Sequence, residues 1–203
     1  MTDLLLPNPT LELVKEECAA FDEEPSTKLG EEALALLRTH FPHNAKTSHV
    51  LIKALALNKL YSTRVNDVDV EPLARHIAGL NIDPSLDRGL LEVVDRIADC
   101  PKLKKYLSFA SKYCSLHKPE TYPIWDGNAR ECLWSYQLQD KFGDFQNQEL
   151  WVYQKYVTIV LGFRDRYRLN CYSIRQLDKF LYRSGGRILR AKDAARASRA
   201  LGI

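Results

Sequence analysis

Residues 108–128 read S-F-A-S-K-Y-C-S-L-H-K-P-E-T-Y-P-I-W-D-G-N, a helix-like segment that breaks at Pro119 and delivers a carboxylate, Asp126, at the mouth of a new helix beside Gly127 and Asn128. A carboxylate so placed has two uses. It can face a substrate, where it stabilises developing positive charge and orients or deprotonates an attacking water. It can also cap the helix by accepting a backbone N–H bond. The two uses are compatible, and both stay open on these residues alone.

The elements that must position Asp126 are helical. Apolar residues recur at three- and four-residue spacings with no run of alternating strands, which predicts an all-α fold. Residues 11–21 and 29–41 read as two helices joined by an E-E-P-S-T turn, the second stopping before Pro42. Thr47 or Ser48 is expected to cap a third, whose Val50, Leu51, Ala54, Leu55 and Leu57 mark it as the central core helix. It ends near L-Y-S-T-R-V at 60–65, and a helix with Val70, Leu73, Ala74 and Ile77 follows. The stretch L-N-I-D-P-S-L-D-R-G reads as a turn, with helices expected over 90–98, 103–116 and 128–136. From Glu149 the chain has a buried character, S-I-R-Q-L-D-K-F-L-Y is amphipathic, and the tail after Gly185-Gly186 reads as a loosely docked basic helix.

With 203 residues and 45% hydrophobic content, the chain can bury one good core or two small lobes sharing a cleft. No apolar run approaches the roughly 18 residues of a membrane span, and the opening M-T-D-L-L-L-P lacks a secretory pattern, so an intracellular, cytoplasmic protein is expected. Its five cysteines are odd in number and widely separated, which suits reduced thiols. With no C-x-x-C pair and no partner at metal-ligand spacing for His40 and His43, neither a metal nor another cofactor is expected. Charge is uneven: residues 1–160 carry 18 Lys+Arg and 23 Asp+Glu, net −5, whereas 161–203 carry 11 and 3, net +8. Such a basic region is either a solvated helix face or a surface for a polyanion. A second basic group, Lys102, Lys104, Lys105 and Lys112, tilts the reading toward nucleic acid.

P-I-W-D-G-N-A-R-E-C resembles the P-I-L-D-G-N-V-K-R-V of the helix-hairpin-helix superfamily of DNA glycosylases, in its adenine-mismatch branch related to endonuclease III; Pro123, Ile124, Asp126, Gly127 and Asn128 match. The resemblance makes Asp126 the counterpart of the family's catalytic carboxylate. Eighteen residues upstream it places Ser108, where that branch has serine and the lyase branches have a Schiff-base lysine. L-Y-S-T-R-V resembles the branch's L-Q-Q-T-Q-V, the loop that enters the minor groove. By that likeness Tyr61, Ser62 and Arg64 become the candidates for the wedge and orphan-base contacts, and Lys102, Lys104, Lys105 and Asn128 for further DNA contacts. The resemblance covers residues 48 to about 136 and implies a two-lobed helical fold with a cleft between the lobes, here a single unit over 1–203. Its core spans 45–140, and 1–44 with 141–203 form the second lobe.

The chain departs from this family at three places. The L-P-G-V-G hairpin would fall at 102–106, where K-L-K-K-Y has no glycine for a tight turn. The four-cysteine iron-sulfur loop is absent, and the acid that protonates adenine has no counterpart near Leu57 and Asn58. Lys112, one helical turn after Ser108, is either an amine nucleophile supporting strand cleavage, a phosphate contact or a surface residue. Trp125 either lines a base pocket or packs in the core, and Asn58 is either a structural hydrogen bonder or a base reader. The resemblance thus implies a monofunctional base-excision enzyme, monomeric, acting on a modified or mismatched base in duplex DNA, near the nucleoid if bacterial. The alternative is a noncatalytic DNA-binding module in genome maintenance or defence.

Overall fold

A computed structural model describes residues 5–200, with side chains through residue 198. Among these the regular elements are ten α-helices and one 3-10 helix, with no strand, so the fold is all-α. The chain divides into two compact units: a terminal unit built from both ends, residues 5–22 with 126–200, and a central unit, residues 23–125.

The central unit contains α2 (Pro25–His40), α3 (Thr47–Leu60), α4 (Asp67–Gly79), α5 (Asp83–Asp87), α6 (Glu92–Ala98) and α7 (Leu107–His117). Its core is the α3–α4 pair, with α7 packed on both α3 and α6. Val50, Ala54 and Leu57 of α3 and Leu73, Ala74 and Ile77 of α4 are fully buried, whereas Leu51 is half-buried and Leu55, expected in the same core, is half exposed. Helix α2 begins at Pro25, four residues before the expected start. Proline at the first helical position has its φ already set, so E-E-P opens the helix instead of turning the chain. Neither Thr47 nor Ser48 caps α3, whose N-cap position is Lys46. The expected turn at 80–89 contains α5, ended by Gly89 at φ +68°. Helix α7 starts at Leu107, because residues 101–106 form the connection from α6.

The terminal unit contains α1 (Leu11–Glu23, through residue 22), α8 (Gly127–Asp140), the 3-10 helix (Asn147–Trp151), α9 (Tyr153–Arg166) and α10 (Ile174–Ala200). Its dominant packing is α10 against α8. Gly185-Gly186 does not loosen a tail: α10 runs straight through both. A Cβ on Gly185 would lie 1.8 Å from the carbonyl oxygen of Asn128, so the glycine pair lets α10 lie directly on the first turn of α8. Arg199, counted in the basic tail, has its side chain outside the described residues.

Candidate functional site

The loop after α3 is held open by one side chain. Asn58 Oδ1 accepts from the Val65 N–H at 3.0 Å and the Thr63 hydroxyl at 2.8 Å, while its amide donates to the Val65 carbonyl at 2.8 Å. Asn58 therefore spends its donor and acceptor on the loop itself. Between those anchors Ser62 and Arg64 take left-handed backbone angles, φ +47° and +59°. Each costs a residue with a Cβ about 1–3 kcal/mol, and such strain persists where surrounding bonds over-determine the loop. Tyr61 donates its hydroxyl to Glu31. Lys112, on α7, donates its ammonium to the Tyr61 carbonyl at 3.2 Å and lies 5.8 Å from the ring centroid. Two sequence candidates far apart in the chain thus meet, and Lys112 is buried, 6% exposed.

The connection between α6 and α7 makes its turn without glycine, with Lys102 in the left-handed region at φ +66°. Tyr106 donates to the Asp69 carboxylate at 2.5 Å, its N–H reaches back to the Ala98 carbonyl, and α7 begins directly after it. Lys102 and Lys104 are exposed, the latter 5.1 Å from the Tyr106 ring. Lys105 is paired with Asp95 at 2.9 Å and Asp99 at 3.3 Å, and those pairs hold its ammonium above the ordinary lysine range.

Ser111, one residue before Lys112, carries no signal as a site residue in the sequence, because a serine within a helix belongs to no pattern. Fully buried, its hydroxyl lies 3.3 Å from the Trp125 carbonyl and 3.1 Å from that of Ser108, and accepts from the Trp125 N–H at 3.0 Å. It fastens the P-I-W segment to α7 one residue before Asp126. Ser108 itself is half-buried, and Trp125 is buried.

In the terminal unit, Asp126 is the N-cap of α8: its backbone is extended and Oδ1 accepts from the Ala129 N–H at 2.8 Å. It is 9% exposed, in a setting that contains the fully buried Tyr156 phenol. Burial, then the Asp178 and Asp126 carboxylates, raise that phenol well above its ordinary range. Asn128 follows, under Gly185 and Gly186. One turn into α8, the Arg130 guanidinium stacks 4.2 Å above the half-exposed indole of Trp151. Many of the basic residues beyond 160 have carboxylates beside them within this unit: Arg183 and Arg187 on Glu17, Lys179 on Asp22 at 2.6 Å, and Lys192 on Glu131 at 2.5 Å.

A second buried polar cluster, which no spacing in the sequence announces, sits in the central unit. Lys53, on the apolar helix α3, has no exposed surface. Its ammonium donates to the carbonyls of Phe41 at 3.0 Å and His43 at 3.1 Å and to Asn44 Oδ1 at 2.7 Å, and lies 3.2 Å from His117 Nε2. Burial lowers Lys53 to about 8, with Asp83 pulling the other way. Burial and then the Lys53 cation push His117 down to about 3, so the imidazole is neutral. Asn44 is fixed by Asp83 at 2.6 Å and accepts from the Tyr113 hydroxyl at 2.5 Å. Among the described residues no group of three His, Cys, Asp or Glu side chains is gathered for a metal, and no helix is long and apolar enough to cross a membrane.

Residues 13–121, more than half the chain, match the model of the HI_0787_N family, described as an N-terminal domain, and the chain belongs to that family. The match takes in the loop at 61–66, the α6–α7 connection and the Lys53 cluster, and it stops before Asp126. A protein of Haemophilus influenzae described as uncharacterized is 30% identical over 135 residues, 64% of this chain and 63% of that protein, so the chain spans less than two thirds of this relative's length. No solved structure matches.

Proposed function

We propose that the protein is a base-excision enzyme of the DNA glycosylase type, hydrolysing the N-glycosidic bond of a modified or mismatched base in duplex DNA without lyase chemistry. The reading includes a two-lobed glycosylase-like arrangement and rests on one observation. The carboxylate of P-I-W-D-G-N is nine-tenths buried and held by the Ala129 N–H at the start of α8. Breaking the bond builds positive charge on the sugar, which a nearby fixed carboxylate stabilises while it orients water. Asp126 would fill that role. Lys112 is committed to the Tyr61 carbonyl, which favours anchoring the strained loop over attack on the sugar and so supports simple base release. The loop of Tyr61, Ser62 and Arg64 is the element assigned to the minor groove, with Lys102 and Lys104 on phosphates.

The test is base release from duplex oligonucleotides carrying single modified bases, comparing wild type with Asp126→Asn. Asparagine caps as well as aspartate, so folding is retained while the charge is lost. Release by wild type falls at least a hundredfold in the variant, and strand breaks follow only after hot alkali. Equal release by both proteins would remove Asp126 from the mechanism. The second reading, a noncatalytic DNA-binding module, is favoured by the connection at 102–106, which turns on Lys102 without the glycines of the family's hairpin. It is selected if duplex DNA binds with strong salt dependence and no base is released.

A further inference from the structure

A cavity of about 90 Å³ opens in the central unit between α2 and the end of α7, with Tyr61 closing one side. Its apolar surface comes from Leu34 and Leu116, and its polar groups are Glu31, Arg38, Tyr61 and Ser115. Two of these are unspent. Ser115 is 4% exposed, yet its hydroxyl has no hydrogen-bond partner among the described residues, whereas the α-helical Thr39 and Thr158 each bond back to their own helix. Lining the cavity, that hydroxyl is open to a partner from outside the protein. Arg38 forms no ion pair or hydrogen bond among the described residues, whereas Arg75, Lys118 and Lys155 each sit against a carboxylate. At the opposite end, Glu31 takes the Tyr61 hydroxyl.

Glu31 and Arg38 are seven residues apart on α2, two turns and therefore one face, about 10.5 Å along the axis. A carboxylate and a guanidinium at opposite ends of a small, partly apolar cavity are complementary to a molecule that carries both charges. We propose that this cavity binds a small zwitterion of the ω-amino-acid class. Its carboxylate pairs with the Arg38 guanidinium and accepts from Ser115 Oγ, and its ammonium faces the Glu31 carboxylate. Charge-assisted hydrogen bonds hold its two poles, and a short methylene chain lies over Leu34 and Leu116. A lone anion would meet Glu31, and a lone amine would meet Arg38. The site does not depend on the DNA reading, since it uses neither Asp126 nor the basic surface.

The experiment is calorimetric titration of the full chain with γ-aminobutyrate, butyrate and glycine. Saturable binding of γ-aminobutyrate is expected, at least tenfold tighter than butyrate, which lacks the ammonium, and than glycine, which is too short to span the poles. Arg38→Gln and Ser115→Ala each weaken it at least tenfold, and both variants keep the wild-type melting profile because neither side chain carries a bond among the described residues. Absence of saturable binding by γ-aminobutyrate, or binding unchanged in Arg38→Gln and Ser115→Ala, would overturn the proposal. Equal affinity for butyrate would overturn the zwitterion assignment.

Discussion

His117 and Lys53 illustrate how one buried contact sets the response of a fold to pH. His117 Nε2 lies 3.2 Å from the Lys53 ammonium, so a proton on the imidazole would place two cations together away from water. Its folded value, about 3, is below that of an unfolded histidine, about 6.5. A group depressed on folding contributes stability that is complete above the unfolded value and is lost as pH falls from there toward the folded one. Unfolding free energy should therefore decline by up to about 1.4 kcal/mol per pH unit below about pH 6.5, before ordinary carboxylates titrate. Urea titrations at a series of pH values from neutral down to about 5 should show this decline in wild type and a flatter profile in His117→Gln. An identical slope in the variant would exclude His117 as its source. Lys53 works on the other side of neutrality. Its folded value of about 8 is below the ordinary 10.5, so stability gains as pH rises through that interval. Neither effect is legible in the sequence. Lys53 reads as one cation in an apolar helix, and its partners come from residues 41, 43, 44 and 117, which only the tertiary fold assembles. Asp126 is legible for the opposite reason, since a cap is a local arrangement and the A-R after D-G-N supplies the N–H that it accepts.

Among the elements, helix content is readable wherever a local rule decides it. Val50, Ala54 and Leu57 are buried as their spacing requires, and α2 ends at His40, before Pro42. Expectation and structure part where the same residue type serves two purposes. Pro25 opens a helix where E-E-P-S-T suggests a turn, and Gly185-Gly186 permits close packing where a glycine pair suggests a break. The second case gives a sharp expectation, because helix propensity and packing pull in opposite directions. In an open helix, Gly→Ala would gain about 1 kcal/mol. At Gly185 the added methyl would meet backbone, the Asn128 carbonyl at 1.8 Å, which no rotamer change relieves. Packing wins, and Gly185→Ala should destabilise the protein by about 1–3 kcal/mol, the range for overpacking. Gly162→Ala, on α9 with nothing within 4 Å of its added carbon, is the control and should be neutral or slightly stabilising. Matched thermal melts of the two variants separate the effects. Because the clash falls on the residue two after Asp126, Gly185→Ala should also shift the amide resonance of Ala129, which donates to that carboxylate.

On the scale of the whole molecule, net charge misleads about where a polyanion would lie. The chain is +3 overall and its last 43 residues are +8, yet Lys179, Arg183, Arg187 and Lys192 are matched within the terminal unit to Asp22, Glu17 and Glu131. A cation already facing a carboxylate cannot neutralise a phosphate without giving up that partner, so little counterion release is available from it. Glu17 is itself buried, 5% exposed, and removing its arginines would leave a carboxylate stranded; these pairs therefore belong to stability. Lys102 and Lys104 differ: both are exposed on the α6–α7 connection, and neither has a carboxylate partner among the described residues. If the protein binds duplex DNA as proposed, Lys102→Ala with Lys104→Ala should reduce the slope of log affinity against log salt by about 2, about one for each phosphate no longer neutralised, and leave the melting temperature unchanged. Arg183→Ala with Arg187→Ala should do the reverse, lowering the melting temperature while the slope stays within error of wild type. Fluorescence anisotropy on one duplex across a salt series, with a melt of each variant, measures both quantities. A slope that falls only in the arginine pair would move the DNA surface from the α6–α7 connection to α10.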